Sequence, residues 1–299
     1  MPHPYMEMVK NILIISNDWC SCFIRLLHEN FPITEVNTLF QTIYRFMIEL
    51  TNGRWSSLLL KRFATSHMSR YVVPHFSRIY QIDTEEMEGD LKEFSTLHDF
   101  FIRKLRKGSR PINQDAQAVT SPVDAVLEEV GPISEQKLIE VKGKTYSIEE
   151  MLGNDALLQK YINGTFMVLY LSPSHYHRIH SPITGRVTAS WTLGKKSYPV
   201  NSLGLKYGKS TLSKNYRTVT EIKHQTGHIA VVKVGAMFVN SIEVTHENEH
   251  VEKGQELAYF TFGSTVVLLF EKDSIQSTLE KSLPFPIKVG ERIALLKET

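Results

Sequence analysis

Apolar residues recur at helical spacing early in the chain. Leu39, Ile43, Phe46, Met47 and Leu50 form one stripe, and Asn52-Gly53 closes it. A second apolar run, from Leu58-Leu59-Leu60 to Phe63, follows, and Pro74 bounds the region. Leu97, Phe100, Phe101 and Leu105 then predict a further helix. Ser95 or Thr96 can cap it, Thr96 and Asp99 fit a capping box, Gly108 can end it, and Pro111 prevents its resumption. Beyond Pro111 the texture changes to short β-rich runs between turn residues. Phe166 to Leu171, Gly185 to Trp191, Ile229 to Val234, Phe238 to Val244 and Val266 to Phe270 predict strands, with one short helix near Ser147 to Leu152. No internal repeat or low-complexity segment interrupts this order. The pattern predicts an α+β fold, with a helical N-terminal layer followed by a β-rich body.

Composition adds little to this picture until charge is read locally. The 299 residues carry a net charge of +2 and are 42% hydrophobic, which suits a globular protein with a sizeable core and implies no nucleic-acid partner. Residues 36–80, however, hold Arg45, Arg54, Lys61, Arg62, Arg70 and Arg78 against Glu49 alone. Residues 81–99 reverse the sign, with seven acids against Lys92. A basic stretch rich in large apolar residues fits contact with an anionic lipid surface; an ordinary helical layer with solvated basic faces is the plainer alternative. No run approaches the roughly 18 apolar residues that span a bilayer, so a protein of this sequence that meets a membrane is expected to lie on it. Cys20 and Cys22 are too few for a disulfide framework or a zinc site without distant ligands, and a reducing, cytosolic setting is the default.

Three segments can carry chemistry. The densest is Ser174-His175-Tyr176-His177-Arg178-Ile179-His180-Ser181-Pro182, whose histidines suit acid–base catalysis, metal ligation or a polar loop. His246-Glu247-Asn248-Glu249-His250 matches the H-E-x-x-H zinc pattern, but that chemistry needs a helix, and here the motif follows a strand-like run and precedes a turn. The expectation is an exposed hairpin loop and no metal. The third segment is Gly263-Ser264-Thr265 before the apolar strand Val266 to Phe270. Glycine permits a strained carbonyl, which the next hydroxyl can attack if a base and an orienting group are at hand. The histidine cluster can supply the base, and Asp124 is a candidate orienter; spacing alone does not bring the three segments together.

In order and wording these segments resemble the phosphatidylserine decarboxylase family. Its F-x-R-x-L-x-x-G-x-R-P-I is similar to Phe101 to Ile112, its S-P-x-D-G to Ser121 to Ala125, and its K-G-x-x-Y-S to Lys142 to Ser147. Tyr170 to Pro182 resembles Y-L-x-P-x-x-Y-H-R-x-H-x-P almost completely, Val234 to Ile242 resembles V-G-A-x-x-V-x-S-I, and Gly263 to Phe270 resembles the terminal G-S-T with its strand. Two positions depart from the pattern: Ala125 stands where glycine is usual, and Phe262 where leucine is. Ala125 matters if that backbone needs positive φ.

The resemblance runs from about Val36 to the C-terminus and implies three regions: an extension of unknown role (1–35), which can lie upstream of the native start, a helical region (36–112) and a β-rich catalytic domain (113–299). It implies that Asp124, His180 and Ser264 form a self-cleavage triad that cuts between Gly263 and Ser264. The products are a large chain, 1–263, and a small chain, 264–299, beginning with a pyruvoyl group derived from Ser264. That cofactor is expected to form a Schiff base with phosphatidylserine and release carbon dioxide and phosphatidylethanolamine, with His177 serving proton transfer or carboxylate positioning. The expected setting is peripheral, on the cytoplasmic face of the cell membrane, as a homodimer of the processed unit. Two alternatives stay open. A serine hydrolase could use the same three residues on an external ester, or Val251 to Gln255 could be the turn of a barrel-sandwich binding module.

Overall fold

The computed structural model describes residue 59 and residues 61–297, apart from 154, 196, 197, 199, 201–209, 237–241, 247, 262, 263, 280 and 281. The 1–35 extension, the Leu39 to Leu50 stripe, Arg54, most of the Phe238 to Val244 run, and Gly263 therefore lie outside the described residues.

Strand dominates what is described, with few and short helices, which is compatible with an α+β fold. The strands are β1 (Ala118–Thr120), β2 (Ala125–Pro132), β3 (Leu138–Val141), β4 (Lys144–Ser147), β5 (Thr165–Leu171), β6 (Arg178–His180), β7 (Gly185–Leu193) and β8 (Arg217–His224). They continue as β9 (Gly227–Gly235), β10 (Ile242–Val244), β11 (His250–Val251), β12 (Glu256–Phe260), β13 (Ser264–Phe270), β14 (Ile275–Ser277), β15 (Phe285–Ile287) and β16 (Arg292–Leu296). Eight of them form the central sheet, in the order β11-β7-β8-β9-β13-β5-β2-β15. Two three-stranded sheets, β1-β16-β14 and β10-β12-β6, and the β3-β4 hairpin accompany it.

Strand β13 explains why its apolar run is continuous. Val266, Leu268 and Phe270 enter one core with residues of both small sheets, while Val267 and Leu269 enter a second core with the β3-β4 hairpin and the helix Ile148–Leu152. A strand buried on both faces has no polar alternation to show. The central sheet thus sits between two hydrophobic layers.

The helix predicted at residue 97 begins where expected, for Thr96 Oγ1 accepts from the Asp99 amide at 3.0 Å. It ends at Phe101, well short of Gly108. The reason is tertiary. The Glu88 amide donates to the Lys104 carbonyl and the Arg106 amide to that of Glu86, so residues 104–106 run beside 86–88 in extended form. The short helix predicted near Ser147 to Leu152 is present as Ile148–Leu152, and the Ser147 hydroxyl caps it by accepting from the Glu150 amide at 3.1 Å. Among the described residues of the 36–80 region, helical turns cover 61–64, His67–Val72 and Val73–Ile79.

Candidate active site

Strand register assembles the site at one end of the central sheet. Ser264, the first residue of β13, pairs with Leu171 on one side and Gly235 on the other. On β5's other side, Val126 of β2 faces Tyr170. Ala125 and Leu171 therefore lie one step nearer the sheet end, level with Ser264. Asp124 precedes β2 there, and the segment Ser172 to His177 leaves β5 there. The Phe260 amide donates to the His177 carbonyl at 3.0 Å, which sets the end of β12 beside that segment four residues before Ser264. His180 comes from β6, whose backbone amide donates to the Pro122 carbonyl at 2.8 Å, next to the Asp124 loop. Ala125 is buried in β2 and is not among the positive-φ residues, so the alanine fits where the motif usually has glycine.

The hydrogen bonds within this cluster do not follow the simple order Asp124–His180–Ser264. The Asp124 carboxylate accepts from Arg110 Nε at 2.8 and 3.0 Å, from Arg110 Nη2, and from the Val289 amide at 2.9 Å. Arg110 in turn binds Glu86 at 2.7 Å. His180 Nδ1 lies 2.7 Å from the Gly254 carbonyl, and its Nε2 lies 3.2 Å from the Tyr176 hydroxyl. A carbonyl only accepts, so Nδ1 carries the proton in neutral His180, and Nε2 presents its lone pair to the Tyr176 O–H. The ring stacks on Tyr176 with centroids 5.6 Å apart. Burial lowers the His180 pKa below the ordinary value, and the Gly254 carbonyl, Glu256 and Asp124 each oppose that shift. Asp124 therefore acts on His180 through space, while Gly254 fixes its tautomer.

Gly254 belongs to the Val251 to Gln255 turn. Its φ of +83° favours glycine, and a Cβ there would meet Ile112 Cγ1 at 2.6 Å. The turn is tied to the histidine segment, as the Gly254 amide donates to the Ser181 carbonyl at 2.8 Å and the Ser181 amide to that of Gln255 at 2.7 Å.

Ser264 is fully buried, and its hydroxyl has no hydrogen-bond partner among the described residues. His177 is equally buried. Its Nδ1–H donates to the His175 carbonyl at 2.8 Å, which leaves the Nε2 lone pair buried and without a partner among the described residues. Its ring packs on Phe101 with centroids 3.9 Å apart. Burial first, then the Arg103 charge, hold the His177 pKa well below the usual histidine range. His175 Nδ1 accepts from the Ser172 amide at 3.0 Å and is likewise lowered by burial.

Arg110, Tyr176 and Gly254 are the residues that sequence reasoning passed over as site components. Each lies within a motif or turn already singled out, but nothing local says that Arg110 holds Asp124 or that Gly254 holds His180. The zinc-like motif runs from strand β10 to strand β11, with no helix among its described residues. Among the described residues, no group of three or more His, Cys, Asp or Glu side chains is placed to hold a metal.

The Arg110–Asp124 pair is largely buried, with side chains 10% and 8% exposed. Removing one member leaves an uncompensated charge. Arg110→Gln is expected to destabilise the uncut chain by about 3 kcal/mol, measured by denaturant unfolding in a Ser264→Ala background. An unchanged unfolding midpoint would show that Val289 and solvent suffice to hold the carboxylate.

Comparison with known proteins adds a second line of argument. Residues 97–295 match the family model described as phosphatidylserine decarboxylase. The chain is 60% identical over 255 residues to the phosphatidylserine decarboxylase proenzyme of Geobacillus sp. (strain WCH70), covering 85% of this chain and 98% of that protein. It is 56% identical over 254 residues to the proenzyme of the same name from Bacillus cereus (strain ATCC 10987 / NRS 248), covering 85% and 97%. The corresponding Bacillus thuringiensis (strain Al Hakam) proenzyme gives the same identity and coverage.

Proposed function

Since the chain belongs to the phosphatidylserine decarboxylase family, we propose that it is a proenzyme that cuts itself between Gly263 and Ser264 and then converts phosphatidylserine to phosphatidylethanolamine. The observation that carries this reading is the buried Ser264 hydroxyl at the head of β13, which has no hydrogen-bond partner among the described residues.

In the proposed processing step, His180 Nε2 exchanges the Tyr176 hydroxyl for that of Ser264 and takes its proton. The Ser264 oxygen attacks the Gly263 carbonyl and replaces the peptide bond with an ester. β-Elimination releases the 1–263 carboxylate and leaves dehydroalanine at position 264. Tautomerisation and addition of water then expel ammonia and leave a pyruvoyl group. The Asp124 charge favours the imidazolium that forms on His180, and Arg110 and Val289 hold that carboxylate in place. Position 264 fits the product, because a pyruvoyl group lacks the hydroxyl that has no partner there. Once formed, the pyruvoyl carbonyl supplies the electron sink for loss of carbon dioxide from the serine headgroup. His177, whose buried Nε2 has no partner among the described residues, handles a proton in that second reaction.

Intact mass of the purified protein tests this reading. The small chain should be 264–299, lighter by one ammonia than a hydrolytic fragment beginning at Ser264. One full-length species that reacts with a serine-directed probe would instead point to a hydrolase.

The substrate is a bilayer lipid, and we place the enzyme on the cytoplasmic face of the cell membrane as a peripheral protein. Among the described residues, no helix is long and apolar enough to cross a membrane. Leu59, Met68, Tyr71 and Ile79 are exposed apolar side chains amid the exposed Lys61, Arg62, Arg70 and Arg78. Each basic residue near an anionic surface contributes about 1 kcal/mol, screened by salt. Lys61→Gln with Arg62→Gln should weaken co-sedimentation with anionic vesicles at low salt and leave self-cleavage intact. Unchanged binding at low salt would remove this surface from consideration. The processed unit is proposed to form a homodimer, which sedimentation at one large plus one small chain would dismiss.

A further inference from the structure

Buried polar atoms without partners among the described residues gather around the segment that joins β5 to β6. Besides Ser264 Oγ and His177 Nε2, they include Arg103 Nε and Nη1. Arg103 is 4% exposed. Its Nη2 donates to the Ser174 carbonyl at 2.9 Å and the His175 carbonyl at 3.1 Å, which ties the guanidinium to the histidine segment. Its charged end also lies 5.4 Å from the centroid of the Phe100 ring.

No carboxylate pairs with Arg103 among the described residues, whereas Arg110 holds Asp124 and Glu86 and Arg178 holds Glu256 at 2.8 Å. A buried cation with two idle donors is costly unless an anion completes it. Burial draws the Arg103 pKa down to about 10, with Asp124 opposing from a distance. Arg103 also lines a cleft, together with Phe94, Lys104, Arg178 and the carboxylates Glu88 and Asp99. Lys104 and Glu88 are exposed and Asp99 is half-buried, so water screens their charges more than that of the buried Arg103.

We propose that Arg103 is the receptor for the phosphodiester of the phosphatidylserine headgroup, which enters from this cleft and accepts from Nε–H and Nη1–H. The assignment rests on the decarboxylase reading above and names the residue that would orient its substrate. Chemistry selects the phosphate over the headgroup's other anion. The carboxylate loses its charge as carbon dioxide departs, so a cation on it would stabilise the starting state more than the transition state. The phosphodiester keeps its charge throughout, and binding it positions the reacting carbon without opposing the reaction.

The test uses the processed protein, two soluble amines and cyanoborohydride reduction, with the fraction of small chain captured as an adduct read by mass. O-Phosphoserine carries the phosphate, and serine does not. Wild-type protein should capture phosphoserine at a concentration lower by about tenfold, the worth of one charge-assisted hydrogen bond. Arg103→Gln should bring the two concentrations together. Arg103→Lys should do so in part, since three donors that also serve two carbonyls cannot replace five. An unchanged phosphoserine preference in whichever variant cleaves would overturn the proposal, and failure of both to cleave would make Arg103 a structural residue only. Inorganic phosphate at equal concentration should leave phosphoserine capture intact; suppression by it would assign the site to free phosphate instead. Cleaved wild-type protein that captures neither amine would remove the decarboxylase reading itself, a result distinct from a lost preference.

Discussion

A Ser264→Ala chain should run as one full-length band indefinitely and form no detectable phosphatidylethanolamine. Alanine removes the only oxygen that the proposed serinolysis can use at that bond. The fold should survive, because Ser264 is held in β13 by backbone pairing with Leu171 and Gly235 and its hydroxyl bonds to nothing described. Deleting a buried hydroxyl without a partner relieves a desolvation cost of about 1 kcal/mol or more. The variant should therefore melt no lower than the uncut wild-type precursor. Cleavage at residue 263 in this variant, read on a gel, would place the nucleophile elsewhere, and a lowered melting temperature would mean that the hydroxyl has a partner in solution.

The two histidines should separate the two reactions. His180→Ala removes the Nε2 lone pair that the Gly254 carbonyl keeps available. Loss of a general base slows a reaction by about 100- to 10,000-fold, so the variant should accumulate as precursor. His177→Ala should cleave at least in part, because no step of the proposed serinolysis uses His177, yet make little phosphatidylethanolamine. Its packing on Phe101 makes a thermal melt the necessary companion measurement. Equal cleavage defects in two well-folded variants would show that one ring does not serve each step.

Much of this arrangement was legible in the residue pattern, and its limits have identifiable causes. Val266 to Phe270 reads as a strand because both faces of β13 are buried, and Thr96 reads as a cap because capping is local. The end of the helix at Phe101 was not legible. Residues 104–106 pair with 86–88, and the Arg103 side chain turns to carbonyls 71 and 72 residues away. Asp124, His177, His180 and Ser264 stand out as candidates by chemistry and resemblance, and register then explains how Asp124 and Ser264 come to the same sheet end. The bonding order was hidden. Arg110 claims Asp124, and the Gly254 carbonyl orients His180, because a turn remote in sequence packs against β6. Short spacing rules carry no record of such contacts.

The position of the proposed cut within the sheet bears on whether the molecule can recover from unfolding. Strand β13 is hydrogen-bonded along its whole length to β5 and β9, while β15 pairs with β2 and β16 with β1. The 264–299 piece is thus woven through the body at three places, and severing its leading bond gives it no route out. Before the cut, collapse and recovery belong to one chain and do not depend on dilution. Afterwards, a thirty-six-residue fragment, whose leading apolar run has no shelter of its own, would have to find its larger companion again by collision. Processing at that bond would therefore turn a self-contained folding problem into an encounter between strangers, and a mature enzyme would last only as long as its first folding does.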